Sequence, residues 1–165
     1  MIEPVDTRTA EGEQTTSLIL STFRTNGLLL AAGDVLAAEP GLTSARWQVL
    51  GAIVYAKRPL TAPQIARRMG LTRQSVHTTL NHLVDDGIVE LVENADHRRS
   101  PLVRLTERGE TAYRAIDEKQ AAWVNDLAAG LSHAELETAA GVLDELSRRL
   151  EAARSHPDEP EGKAR

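Results

Sequence analysis

Residues 60–88 read LTAPQIARRMGLTRQSVHTTLNHLVDDGI, and this stretch decides the fold. Thr61 and Gln64 have the spacing of a capping box, in which a hydroxyl and an amide side chain satisfy the first turn of a helix. The spacing predicts a short helix over Ala62–Met69. Gly70 follows directly, and glycine tolerates the backbone conformations of a tight turn. The pattern therefore predicts a helix that ends in a turn at Gly70.

A second helix is predicted from a cap at Thr72 to about Asp86. Its apolar residues recur with the period of one helical face and are predicted to point inward: Val76, Leu80, Leu83 and Val84. Two helices joined by a short glycine turn form a helix-turn-helix, and the second helix of such a unit enters the DNA major groove.

The outward face of this second helix has the chemistry of a DNA-reading surface. It carries amide, hydroxyl and imidazole groups and has no carboxylate, which would repel phosphate, until Asp85. Glutamine can pair with adenine, and hydroxyl groups can contact bases or phosphates. A solvated helix face usually mixes glutamate with lysine, and this one does not. The predicted DNA-contacting residues here are Thr72, Arg73, Gln74, Ser75, His77, Thr78, Asn81 and His82.

A β-hairpin with a long loop is predicted after this helix. Ile88–Glu93 and Leu102–Leu105 are rich in β-formers, and the polar segment Asn94–Pro101 lies between them. The tip carries Arg98 and Arg99, which suit the negative potential of a narrow minor groove. These two arginines complete the predicted DNA-contacting set, although a soluble loop tip would have a similar composition.

The charge distribution separates this region from the rest of the chain. The net charge is −5, yet residues 57–84 contain no Asp or Glu. The same residues carry +5, which leaves −10 for the remainder of the chain. A local basic segment in an acidic protein is typical of nucleic-acid contact, but a solvated basic face would look the same.

Composition argues against several other classes of protein. The absence of cysteine excludes disulfides and thiolate metal sites and fits a reducing cytoplasm. No apolar run approaches the roughly 20 residues that a membrane span needs, and the polar N-terminus does not resemble a signal peptide. We find no nucleotide-binding loop, catalytic triad pattern or paired carboxylates, so we expect neither an enzyme nor a cofactor. His77 and His82 are five residues apart, which is a poor spacing for a metal site.

The residues that flank the helix-turn-helix predict helices on both sides. Ser17–Ala38 is apolar on more than one face in its second half and needs more burial than one small domain offers. A second subunit would supply that burial. Thr106 opens a long helix to about Ala129, and Ser132 caps a last helix.

Residues 42–109 resemble the MarR family of winged-helix regulators. The similarity is carried by Leu42-Thr43, Trp47-Gln48-Val49-Leu50, Leu60-Thr61, Ile65-Ala66, Gly70-Leu71-Thr72, Val76, Leu83, Asp86-Gly87-Ile88-Val89, Asp96-His97-Arg98-Arg99-Ser100 and Leu105-Thr106-Glu107-Arg108-Gly109. In weaker form it extends over about residues 17–152. The resemblance implies that residues 72–86 form the base-reading helix and that Arg98 is the wing arginine. The chain departs from many members at Thr78 and His82, where they carry Arg or Lys.

The family implies a homodimeric, sequence-specific DNA-binding regulator, in most cases a repressor at a pseudo-palindromic operator that a small phenolic or anionic effector releases. The expected architecture is mainly α with a small β-hairpin. The expected organisation is a disordered arm (1–14), a dimerisation helix (15–40), a winged helix-turn-helix lobe (41–106), two further dimerisation helices (107–153) and a disordered tail (154–165).

In this family the effector pocket lies between the dimer helices and the DNA-binding lobe, so aromatic residues near that junction are candidate pocket walls: Trp47, Tyr55, Tyr113 and Trp123. Core packing is the plainer interpretation of each one. Two other functions remain open at this point. A winged helix can bind protein without touching DNA, and five histidines leave room for a metal-responsive regulator.

Overall fold

A computed structural model of the chain describes residues 7–39 and 41–155. The fold is mainly helical with a small antiparallel sheet, as predicted. The chain divides into two compact units between Ala122 and Trp123. The elements are α1 (Ala10–Ala37), α2 (Ser44–Ala56), β1 (Leu60–Thr61), α3 (Ala62–Arg68), α4 (Arg73–Asp85), β2 (Val89–Val92), β3 (Leu102–Leu105), α5 (Glu107–Ala128) and α6 (His133–Ser155).

The first helix is longer than predicted. It begins at Ala10, where the Thr9 side chain accepts a hydrogen bond of 3.1 Å from the Gly12 amide. Glu11 and Glu13 in the first turn complement the positive end of the helix dipole. The prediction of a disordered arm over 1–14 is therefore wrong for residues 10–14, while residues 1–6 lie outside the described part of the chain.

The disordered C-terminal tail was also predicted to begin too early in the sequence. Helix α6 continues to Ser155, so residues 154 and 155 are helical instead of disordered. The remainder of that tail, 156–165, lies outside the described residues.

Aliphatic side chains from every element of the first unit build its core. The largest fully buried ones are Leu50, Ile65, Leu83, Ile116, Val49, Val76, Val89 and Val103. Val84, which was predicted to point inward, is 37 % exposed. At 100° per residue it lies 80° from Val76, at the edge of the buried stripe, so the inward face of α4 is narrower than the sequence pattern indicates.

The sheet has three strands in the order β1-β3-β2. The hairpin pairs Val89 with Leu105 and Val92 with Leu102, within the predicted bounds. Strand β1 was not predicted, and it pairs Leu60 with Val103. Thr61 ends this strand and is also the cap of α3, where the predicted capping box with Gln64 is present. The sheet therefore leads straight into the helix-turn-helix.

A close backbone approach joins α5 to the turn after α4. The Thr106 hydroxyl lies 2.7 Å from the Gly87 carbonyl oxygen, to which it donates, and accepts from the Gly109 amide at 3.1 Å. A Cβ atom on Gly109 would lie 2.0 Å from the Ile88 carbonyl oxygen. Only glycine fits at this point of α5 without a shift of the backbone.

Gly109→Ala should therefore lower the free energy of unfolding by about 1–3 kcal/mol, the usual cost of forcing an extra carbon into a packed site. The measurement is urea denaturation followed by circular dichroism. Gly12→Ala is the matched control, because a Cβ there makes only ordinary contacts, at 3.5 Å. Equal midpoints for the two variants would contradict the proposed constraint at Gly109.

Candidate nucleic-acid interface

The outward face of α4 is fully available to a ligand. The Thr72 hydroxyl caps the helix by accepting from the Ser75 amide at 3.0 Å, and the first turn contains no acidic residue. The N-terminal amides of α4 and its dipole therefore favour an approaching phosphate. All ten residues predicted to contact DNA are exposed: Thr72, Arg73, Gln74, Ser75, His77, Thr78, Asn81, His82, Arg98 and Arg99.

These side chains differ in how free they are to bind. Within the described part of the chain, the side chains of Gln74, Asn81 and His82 form no hydrogen bond. Thr78 instead donates to the Gln74 carbonyl oxygen at 3.1 Å, which leaves its oxygen mainly as an acceptor. Thr72 is occupied in the cap. The amide and imidazole groups are thus free to form hydrogen bonds with a ligand.

An ion pair between distant segments holds the C-terminal end of α4. Arg46 Nη1 lies 2.7 Å from Asp86 Oδ2, and the Arg46 side chain is only 22 % exposed. The pair joins the first turn of α2 to the cap of α4, and so it limits tilting of α4. Sequence analysis missed Arg46, since its partner lies 40 residues away.

Asn94 organises the wing loop and was also missed. Its side chain is buried, donates to the Ser100 carbonyl oxygen at 2.8 Å and accepts from the Asp96 amide at 3.2 Å. Further turns link the His97 amide to the Asn94 carbonyl and the Ser100 amide to the His97 carbonyl. An asparagine at the start of a polar loop often forms an Asx turn, and this is the sequence signal that could have indicated the role of Asn94.

A cross-strand ion pair marks the base of the wing. Glu90 and Arg104 are register partners, and Glu90 Oε1 accepts from Arg104 Nε at 2.9 Å and from Nη2 at 2.7 Å. Opposite charges directly across an antiparallel pair stabilise the register. Arg98 and Arg99 at the tip are thus carried on a hairpin that is fixed at both its base and its loop.

The basic segment predicted from the charge distribution lies on the surface. Its five cations are exposed and form no ion pair within the described residues: Lys57, Arg58, Arg67, Arg68 and Arg73.

Three of the four aromatic candidates for an effector pocket line one cavity of about 280 Å³: Trp47, Tyr55 and Tyr113. Burial raises the pKa of the Tyr113 hydroxyl, and Tyr55 and Asp117 add to the effect. The phenol therefore keeps its proton more firmly than an exposed tyrosine does, and it can donate a hydrogen bond. Trp123 belongs to the second unit.

Among residues 7–39 and 41–155, no three His, Asp or Glu side chains come together as metal ligands. In the same ranges, no helix is both long enough and apolar enough to cross a membrane.

Comparison with known proteins agrees with this geometry. A family model described as MarR family matches residues 41–100. An uncharacterised protein of Mycobacterium tuberculosis (strain ATCC 25618 / H37Rv) is 43 % identical over 137 residues, which are 83 % of this chain and 94 % of that protein.

Solved structures resemble the whole architecture. A MarR family transcription regulator, SP03579, is 26 % identical with a TM-score of 0.65, over 89 % of this chain and 99 % of its own. The M. tuberculosis regulator MOSR, solved with DNA, is 22 % identical with a TM-score of 0.69, over 82 % and 97 %. NadR, solved with 4-hydroxyphenylacetate, is 16 % identical with a TM-score of 0.73, over 89 % and 98 %.

The wing geometry yields a test. Asn94→Asp keeps the shape of the side chain but removes the N–H donor to Ser100. Hydrogen exchange at the His97 and Ser100 amides should accelerate about tenfold, as expected when a hydrogen bond worth about 1–1.5 kcal/mol is lost. Glu93→Gln controls for a change of charge beside the loop. If exchange in Asn94→Asp matches that in the wild type, Asn94 does not organise the wing.

Proposed function

This chain belongs to the MarR family of winged-helix transcriptional regulators, and we propose that it represses transcription as a homodimer bound to a pseudo-palindromic operator. The observation that carries the proposal is the outward face of α4, which is exposed, has no carboxylate before Asp85 and is rich in unpaired amide and imidazole groups. The alternative of a winged helix that binds only protein gives no reason for such a face.

The proposed roles of individual residues in DNA binding follow from the chemistry of their side chains. Gln74 lies near the start of α4, where a major-groove helix meets base edges, and its amide matches adenine. Arg98 and Arg99 on the wing reach the adjacent minor groove. MOSR, which has a similar fold, has been crystallised with DNA, and this supports DNA binding as the function of the chain.

Exposed apolar side chains on α1 support a dimer. Of its 28 residues, the buried ones are Gly33 and Ala37, whereas Phe23 is 70 % and Val35 78 % exposed. Helix α6, considered by itself, also exposes large aliphatic residues: Leu136, Val142, Leu143 and Leu150. Exposed apolar side chains in such number on one helix mark a protein interface, and a second copy of the chain is the partner that the family implies.

The aromatic cavity is the proposed effector site. Its volume of about 280 Å³ suits a small aromatic molecule, and NadR of the same fold has been solved with 4-hydroxyphenylacetate. The effector shifts the dimer only by its preference for one geometry, and a coupling of about 1–3 kcal/mol weakens operator binding roughly 5- to 150-fold. Trp123 stays a predicted wall residue.

Two DNA-contact variants should fail in different ways. Gln74→Ala should lower affinity for the selected operator about 5- to 150-fold, the cost of one lost bidentate base contact, and leave affinity for random DNA nearly unchanged. Arg98→Ala should weaken binding to both and reduce the slope of log K against log salt by about 1. Fluorescence anisotropy across a salt series, after selection of the operator from a random pool, measures both quantities.

Each variant has a control. Thr79→Ala removes a hydroxyl on the same helix that bonds internally to the Ser75 carbonyl oxygen, and Arg148→Ala removes the same charge from α6. Equal losses on operator and random DNA would refute base reading by Gln74. If Arg98→Ala has the same salt slope as the wild type, Arg98 does not contact the DNA phosphates.

The proposed dimer can be tested separately from DNA binding. Sedimentation equilibrium should show a dimer at micromolar concentration, and Phe23→Lys should shift the chain towards monomer because it places a charge on the apolar face of α1. Arg24→Glu, on an adjacent exposed position, controls for a charged change in the same turn. A wild-type chain that sediments as a monomer and still binds the operator would overturn the dimeric mechanism.

A further inference from the structure

Helix α1 meets the rest of its own chain near the start of α2. Its buried residues are Gly33 and Ala37, close to its C-terminal end. A Cβ atom on Gly33 would lie 2.7 Å from the Ser44 hydroxyl oxygen, and Ser44 is only 4 % exposed. The two helices therefore touch at this point with no room for a side chain on α1.

A carboxylate on α1 holds the first turn of α2. Asp34 Oδ1 accepts a hydrogen bond of 2.7 Å from the Ser44 amide. Ser44 is the first residue of α2, and the amides of a first helical turn have no partner within the helix. A carboxylate at this end of a helix also complements the helix dipole, and its hydrogen bonds are stronger than those of a neutral acceptor. Asp34 thus fixes the start of α2 to α1.

The same turn of α2 holds the end of α4. Arg46 lies in this turn, and its guanidinium pairs at 2.7 Å with Asp86, the residue that caps the C-terminal end of α4. The Thr43 hydroxyl accepts from the Arg46 amide at 3.3 Å, so the turn that carries both contacts is itself capped. The carboxylates of Asp34 and Asp86 thus contact one helical turn, the first from α1 and the second from α4.

We propose that Asp34 is a positioning residue for DNA binding, which transmits the placement of α1 to α4 through the first turn of α2. Loss of the bond to Ser44 releases this turn, and Arg46 then no longer holds the end of α4 in one place. Because α1 also carries the apolar face proposed to pack against a second copy, α4 takes its orientation from the dimer interface. The effect on DNA affinity rests on the proposed function, whereas the link between Asp34 and α4 does not.

The charge of Asp34 separates positioning from simple electrostatics. Asp34→Ala removes a negative charge from an acidic chain, so electrostatics alone would raise its affinity for DNA. We expect the affinity for the selected operator to fall about tenfold instead, as for the loss of one hydrogen bond to a charged group, while the affinity for random DNA does not fall. Asp34→Asn keeps an acceptor oxygen and should lose only about threefold, because a neutral hydrogen bond is about half as strong. Glu118→Ala, at an exposed position of α5, removes the same charge and should not lower either affinity in fluorescence anisotropy.

A double variant tests the route through α2. Asp86→Ala breaks the pair with Arg46 and should lower operator affinity, although it too removes a negative charge. Because both carboxylates act through one turn, Asp34→Ala/Asp86→Ala should lose no more than the larger of the two single losses. Losses that multiply, equal losses on operator and random DNA, or an operator affinity of Asp34→Ala that is not below that of the wild type would overturn the proposal. Circular dichroism checks the fold of each variant, and Asp34→Asn takes the place of Asp34→Ala if the latter does not fold.

A measurement without DNA separates this proposal from the proposed function. The Asp86 amide donates to the His82 carbonyl oxygen at 3.0 Å at the end of α4. Its hydrogen exchange should accelerate in Asp34→Ala and stay at the wild-type rate in Glu118→Ala. An unchanged rate in Asp34→Ala would overturn the link between Asp34 and α4, whatever the chain binds. If exchange accelerates but the chain selects no operator from a random pool, the link stands and the proposed function fails.

Discussion

The structure depends on the contact between the start of α5 and the turn that follows α4. The Ile88 carbonyl oxygen accepts from the Thr106 amide, while the Thr106 hydroxyl lies against the Gly87 and Ile88 carbonyl oxygens. Because Ile88 precedes β2 and Thr106 follows β3, this one cluster closes the base of the wing. It also fixes the directions of α4 and α5. The orientations of α4, of the β2–β3 hairpin and of α5 therefore all depend on this one contact.

Local signals predicted most of the fold. The capping box of α3, the cap of α4 and the glycine turn are all short-range patterns, and each was present as expected. Strand β1 was missed because two residues are too few to show alternation. The start of α1 was missed because residues 10–14 have no apolar period, although the hydroxyl of Thr9 marked the cap.

In the candidate site, too, local features were predicted and long-range contacts were not. The residues on the face of α4 follow from periodicity and charge, and all of them are exposed where expected. The contacts that position them do not follow, since Arg46 meets Asp86 across 40 residues and Glu90 meets Arg104 across 14. The cleft lined by the end of α2, by β3 and by the start of α5 draws its residues from three elements that are far apart in sequence, so it appears only in three dimensions.

The direct passage from β1 into α3 limits how the length of this protein can change. One residue inserted after Thr61 would turn α3 by about 100° against the sheet, and one inserted within β1 would exchange its two faces. The loop between β2 and β3 has no such constraint beyond the hydrogen bonds of Asn94. Insertions and deletions that survive selection should therefore accumulate there, so that the reach of the wing can vary between relatives while the frame that carries α4 keeps its length.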